Sequence, residues 1–262
     1  MDKSTRSFLF FSCALTIAFL IALNFLVFPG QNWSLYSSLL LLLPLVYFLI
    51  DGSRHYKTYS VIGSLVVFAV LSAANLIESP DYLWVLFAIP ALAAWPLVII
   101  MGKKAAKFSY AFSGAVLLIL CYVVLNLIFE PRFPFSIFTT FTIMWWPLSV
   151  ALAKFSRAFS LVGTAWMTLF FIIVNIITTP VIWWIYPVFA LLFWPLSMFL
   201  ARYPLSYAIL STLILSSFFI IVNLITSRDT IWAVYPIFGL LWWPLSIYFF
   251  VYRRKHVKRK YI

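Results

Sequence analysis

The sequence predicts an all-α integral membrane protein. Ten transmembrane helices are laid out as five tandem two-helix hairpins, all inserted in the same orientation, with the N and C termini cytoplasmic. Three observations predict this. The composition is too apolar for water, ten apolar runs have roughly the length of a membrane crossing, and one residue pattern returns five times in register.

Of 262 residues, 65% are hydrophobic, 21% aromatic and only 9% charged. A soluble domain carries about 25% charged residues, so this chain has too little charge to coat a globule in water. A mean hydropathy of +1.08 points to lipid as the solvent for most of it. No segment between apolar runs is long enough to fold alone, so residues 1–262 read as a single membrane domain. Lys3 and Arg6 precede an apolar run of 22 residues, Ser7 to Phe28. A signal-peptide core is about 7–15 residues long and ends in a small-x-small pattern. The run is longer and lacks that ending, so it reads as a retained first helix.

The apolar runs lie at about 7–28, 34–50, 58–77, 83–101, 109–129, 135–153, 158–178, 182–201, 204–226 and 230–252. Crossing a hydrocarbon core of about 30 Å takes about 20 helical residues. The second run is short and needs bilayer thinning or flanking anchors. None alternates as a barrel strand would.

Orientation follows from the basic residues. Successive connecting segments alternate between basic and nearly neutral. The basic set carries Lys3 and Arg6, Arg54 and Lys57, Lys103, Lys104 and Lys107, Lys154 and Arg157, Arg202, and the tail, 16 of the 18 Lys and Arg. The other set holds only Arg132 and Arg228, with the acids Glu78, Asp81, Glu130 and Asp229. Links between hairpins are therefore expected in the cytoplasm and the five turns outside.

The repeat units run over about 7–52, 53–103, 104–154, 155–202 and 203–252, with a basic tail at 253–262. Asn24, Asn75, Asn126, Asn175 and Asn223 are spaced by 51, 51, 49 and 48 residues. Twenty or 21 residues after each stands a proline: Pro44, Pro96, Pro147, Pro195 and Pro244. Twelve before each is a small residue, glycine at Gly63, Gly114 and Gly163 and serine at Ser12 and Ser211. Sixteen before is an aromatic: Phe8, Tyr59, Tyr110, Phe159 or Tyr207. Trp precedes four of the prolines, and Trp-Pro-Leu-Ser occurs three times. The first unit diverges most. Two helices per unit give every unit the same orientation, unlike transporters built on inverted repeats.

Each asparagine falls near the outer end of an odd-numbered helix, and an amide in lipid must find a partner. One reading is structural: Asn175 and Asn223 donate to the carbonyls of Trp183 and Trp232, which Pro187 and Pro236 leave without a helical donor. The other is a ring of five amides lining a polar site. The mid-helix prolines bend their helices. Small residues five before the proline (Ala91, Thr142, Ala190, Gly239) suit close backbone approach at the bend. Gly63, Gly114 and Gly163 lie at nearly the depth of the Trp-Pro pairs and read as notches for those tryptophans; a flexible gate is the alternative. Trp33, Trp84, Trp183, Trp184 and Trp232 suit the outer interface. The deeper Trp145, Trp146, Trp194, Trp242 and Trp243 suit core packing or a pocket for an apolar or cationic ligand.

Arg253, Arg254, Lys255, Lys258, Arg259 and Lys260 anchor the last helix and can attract anionic lipid headgroups. No folded domain presents this charge to nucleic acid. No Asp, Glu, Lys, Arg or His sits well inside any apolar run, so proton or sodium coupling and intramembrane hydrolysis lack their usual groups. No Walker loop or dinucleotide fingerprint is present. Cys13 and Cys121 have no Cys or His nearby and read as small apolar fillers. The expectation is no enzyme, no metal and no cofactor.

Asn223, Trp232, Pro236 and Trp242 or Trp243, and less closely Asn175, Trp183 or Trp184, Pro187 and Trp194, resemble the small two-helix membrane hairpins called 2TM domains. The resemblance covers the last two repeats. In bacteria such hairpins occur alone or attached to sensor and DNA-binding modules, so the resemblance implies membrane anchoring or sensing without a defined chemistry. The functional expectation is a non-enzymatic scaffold, sensor or partner-binding component of a bacterial cytoplasmic membrane. A facilitative transporter or channel for a small apolar or aromatic-compatible solute is the alternative.

Overall fold

The structure, a computed structural model, describes residues 3–253 except 29, 31 and 228. Among the described residues it is helical throughout, with no strand. In hydrocarbon a backbone must satisfy its own hydrogen bonds, and a helix does so within one segment. The chain begins with α1 (Lys3–Val27), α2 (Trp33–Ile50) and α3 (Tyr56–Glu78). A 3-10 turn, Trp84–Ala88, leads into α4 (Ile89–Met101), and a second, Gly102–Ala106, leads out. Then come α5 (Phe108–Phe129), α6 (Ser136–Leu152), α7 (Ser156–Thr178), α8 (Ile185–Leu191), α9 (Phe193–Leu200), α10 (Pro204–Thr226) and α11 (Val234–Ile247), with a π-helical turn to Arg253.

Eight helical spans among the described residues are long and apolar enough to cross a membrane. Ten crossings were expected, with the run at 34–50 short; the structure has these eight, Trp33–Ile50 among them, plus two shorter apolar helices, Ser136–Leu152 and Ile185–Leu200. Proline explains the second. Pro195 has no N–H for the carbonyl of Leu191, and the preceding turn tightens so that Leu192 N–H donates to Phe189 O at 3.3 Å. The helix is thereby divided into α8 and α9.

The chain forms two compact units, Met1–Val150 and Ala151–Ile262. In the first, α1 packs on α2, α2 on α3, α3 on α4 and α4 on α5. In the second, α7 packs on α8 and α9, α9 on α10, and α10 on α11. The usual sorting of residues is inverted. Ala74, Ala111, Ala115, Ala208, Ser160 and Ser211 are 0% exposed, while Phe8, Leu15, Phe25 and Leu26 stand out at 69–82%. Lipid tails are as apolar as leucine, so burying large side chains gains little, whereas small residues let backbones approach.

The first hairpin is closed at its link end by an ion pair, Arg6 to Asp51 at 2.8 Å. Asp51 caps α2 in the left-handed conformation, φ 55°. Gly52 follows directly beneath the Tyr47 ring, where an added Cβ would lie 2.2 Å from Tyr47 Cδ2. The Ser53 hydroxyl, with the Arg6 charge behind it, holds the Asp51 carboxyl below the ordinary carboxylate range against an opposing desolvation cost. Of the headgroup candidates in the tail, the side chain of Arg253 and all of Arg254, Lys255, Lys258, Arg259 and Lys260 lie outside the described residues.

Candidate functional site

The polar groups of the spans converge at the turns after α1, α3, α5, α7 and α10. There the five asparagines are buried, each 1–6% exposed. Each of these five helices ends the same way: the N–H four residues on donates to the asparagine's main-chain carbonyl, at 2.9–3.1 Å. The asparagine Nδ2 then donates to the main-chain carbonyl of that same residue. The acceptors are Phe28, Ser79, Glu130, Thr179 and Ser227, at 2.6–3.3 Å. In four of the turns the second Nδ2 proton goes to a carbonyl further along: Tyr82, Phe133, Val181 and Thr230, at 2.7–2.9 Å. Finally Oδ1 accepts from the first amides of the returning helix. These are Ser34, Val85, Ser136, Trp183 with Trp184, and Ala233, at 2.7–3.0 Å.

The expected partners of Asn175 and Asn223 were the carbonyls of Trp183 and Trp232, and this is corrected. Those carbonyls accept instead from Tyr186 N and Tyr235 N, each at 3.2 Å, in tight i to i+3 bonds. The amide meets the amino end of the returning helix, where unpaired N–H groups point, so its oxygen is the useful atom. It acts as an N-cap supplied from the neighbouring helix. This needs no proline, which is why Asn24 and Asn126 do the same where no aligned proline exists.

The mid-helix prolines have a partner that sequence reasoning missed. Pro96, Pro195 and Pro244 free the carbonyls of Leu92, Leu191 and Leu240. Ser64, Thr164 and Thr212 donate to these at 2.9, 3.5 and 3.4 Å. Each hydroxyl stands eleven residues before its asparagine, next to the small residue of the repeat. The first and third units have Cys13 and Ala115 there. A small polar residue in constant register with a proline across the turn was the available signal.

Around this bond the tryptophans pack as notches require. An added Cβ at Gly63 would lie 2.7 Å from Trp95 Cη2, and one at Gly114 would lie 2.8 Å from Trp146 Cη2. Gly163 is also buried. Gly239 is different: nothing lies within 4 Å of an added Cβ, so close approach does not explain a small residue there. Tyr59 and Trp95, Phe159 and Trp194, and Tyr207 and Trp243 each meet edge to face at 5.7 Å. Trp146 Nε1–H reaches Ala105 O at 3.2 Å. Trp242 is 56% exposed. The serine of one Trp-Pro-Leu-Ser, Ser197, donates to Trp194 O in its own helix at 2.7 Å.

No family model, curated protein or solved structure matches this chain. The site therefore stands on its own geometry. In the first unit phenol–carboxylate bonds join successive hairpins near the turns. Tyr36 donates to Glu78, and Tyr82 donates to Glu130 at 3.0 Å. Burial first, then the Glu130 bond, raises the Tyr82 pKa and keeps the phenol a donor. Among the described residues no three His, Cys, Asp or Glu side chains lie together as metal ligands would. Cys13 is half-buried and Cys121 exposed, both as free thiols.

Proposed function

We propose that this chain is a non-enzymatic multi-pass protein of the bacterial cytoplasmic membrane. It acts as a scaffold, sensor or partner-binding component made of five tandem hairpins in one orientation. One observation carries the reading. The amides of Asn75, Asn126, Asn175 and Asn223 spend both their donors and their acceptor on their own turn. A group consumed in closing a hairpin is not offered to a solute, so the repeated polar residues work as architecture. Segregation of Lys and Arg onto alternate segments supports cytoplasmic termini. The likeness of the last two hairpins to 2TM domains points to the same anchoring or sensing role.

The test is permeability. The purified full chain in proteoliposomes is expected to leave the flux of small neutral and aromatic solutes at the level of empty vesicles. Saturable, protein-dependent flux of any of them would replace this reading with facilitated transport.

A further inference from the structure

In the second unit a cleft of about 300 Å³ opens between α9, the start of α10 and the end of α11, lined by Ser197, Ala201, Pro204, Tyr207, Trp243 and Ile247. It is mostly carbon, and it lies at the link end of the hairpins, away from the asparagine turns. That volume is at the small end of the roughly 300–1,000 Å³ of ligand pockets. It suits a length of hydrocarbon chain rather than a whole amphiphile.

The charge around it has one sign. Arg202 stands between the lining residues Ala201 and Pro204 and is exposed. Arg157 is exposed too, but its guanidinium lies 5.4 Å above the ring of Phe199, on the other face of α9 from Ser197 and Ala201. Residues 151–262 contain one acid, Asp229, and it is in the turn at the other end of the hairpin. Neither arginine has a carboxylate partner among the described residues. Tyr207, sixteen residues before Asn223, lines the cleft with its ring set edge to face on Trp243.

We propose that this cleft holds an acyl chain of an anionic phospholipid of the cytoplasmic leaflet, its phosphate paired by Arg202. The proposal rests on the membrane orientation above, which places Arg202 on the cytoplasmic side. An apolar slot open to lipid, with Arg202 in the link that flanks it, complements this amphiphile: the chain fills the slot and the headgroup meets the guanidinium. A neutral lipid would fill the slot without the pairing. Free phosphate would pair without the slot.

The experiment is native mass spectrometry of the full chain in detergent, titrated with phosphatidylglycerol or with phosphatidylcholine of the same acyl chains. One phosphatidylglycerol is expected to be retained about tenfold more tightly than phosphatidylcholine. Arg202→Gln, at an exposed site, should remove that preference. Ala201→Phe should reduce retention of both lipids by filling the slot. Deleting residues 254–262 should leave the preference in place. Equal retention of the two lipids, or a preference lost only with the tail, would overturn the proposal. So would displacement of the lipid by millimolar inorganic phosphate alone. A separate Arg202→Cys variant, in a background lacking the native cysteines, is probed with an impermeant thiol reagent. Labelling from the cytoplasmic side without lipid preference defeats only the lipid site. Labelling from outside defeats the orientation itself.

Discussion

An asparagine amide has two donors and an acceptor oxygen, and at membrane depth water does not satisfy them. Asn75 places both donors and its oxygen on three main-chain groups of one turn, all within 2.9 Å. Asn75→Leu would strand the amide of Val85 and leave the carbonyls of Ser79 and Tyr82 with only the main-chain donors Tyr82 N and Trp84 N. The expected loss is about 1–3 kcal/mol, read as a lower melting temperature in detergent. Two glycines separate a packing role from a mere small residue. Gly63→Ala pushes a methyl into Trp95 and should cost about 1–3 kcal/mol. Gly239→Ala meets open space and should gain up to about 1 kcal/mol from helix propensity. The same melting measurement checks both, and equal effects would refute the notch. Asp51 offers a pH handle. Its folded pKa is lowered, chiefly by the Ser53 hydroxyl and then by Arg6. Its contribution is therefore present above the ordinary Asp value, about 3.9, and fades as pH falls through the lowered value. Asn also tolerates the left-handed cap, so Asp51→Asn should flatten the acid limb of the melting temperature against pH without breaking the turn.

At the scale of the element, each returning helix carries a proline defect, and in the second, fourth and fifth hairpins the preceding helix repairs it. Ser64 donates to Leu92 O at 2.9 Å, the carbonyl that Pro96 cannot serve. The bond and the proline should be coupled. Ser64→Ala alone leaves a buried acceptor unpaired and should cost about 1–3 kcal/mol. In a Pro96→Ala background a new backbone N–H can take that carbonyl, so the same substitution should cost much less. A double-mutant cycle measures this directly, and an interaction free energy near zero would sink the repair. Ser64→Thr should be mild, because Thr164 and Thr212 make the same contact at 3.5 and 3.4 Å. Where the repair is missing, Ala115 and Cys13 occupy the position, and the structure shows no substitute donor from them. The helix break before Pro195 shows that a repaired proline can still divide a helix.

At the scale of the whole molecule, the two ends of the spans differ in chemistry. The turn ends of the first unit carry Glu78 and Glu130, held by Tyr36 and Tyr82. The link ends carry Arg54, Lys57, Lys154, Arg157 and Arg202. An asymmetry of this kind sets orientation during insertion. In a chain whose native cysteines are replaced, a cysteine at Thr230 should react with an impermeant maleimide from outside intact cells, and one at Arg54 only after permeabilisation. The reverse pattern would invert the topology. In each unit small residues fill the interior and large apolar ones face out, so cohesion comes from backbone proximity and a few polar bonds. Stability should accordingly be spread over many turns, with no single core whose loss unfolds everything.

Much of this was legible without coordinates, and the residues show why. Hydropathy and length follow from the bilayer alone, so the helical class and most spans could be read directly. Register is a property of the chain, so the asparagine, proline, glycine and tryptophan positions could be aligned, and the fit of Trp95 over Gly63 followed from counting. Partners were harder. The sequence by itself determined that each asparagine needs a partner, and left a bond within the hairpin and a ring of five amides both open. Only the tertiary structure decided that the oxygen caps the returning helix, while the carbonyls of Trp183 and Trp232 turn to tight backbone bonds. Likewise the proline predicted an orphan carbonyl, and the fold decided that a hydroxyl eleven residues before the asparagine would meet it. The reason is physical. Which groups lack a partner is set by covalent structure and the helical period. Which groups satisfy them depends on how two helices turn about their axes, to within about an ångström, and no linear spacing carries that angle.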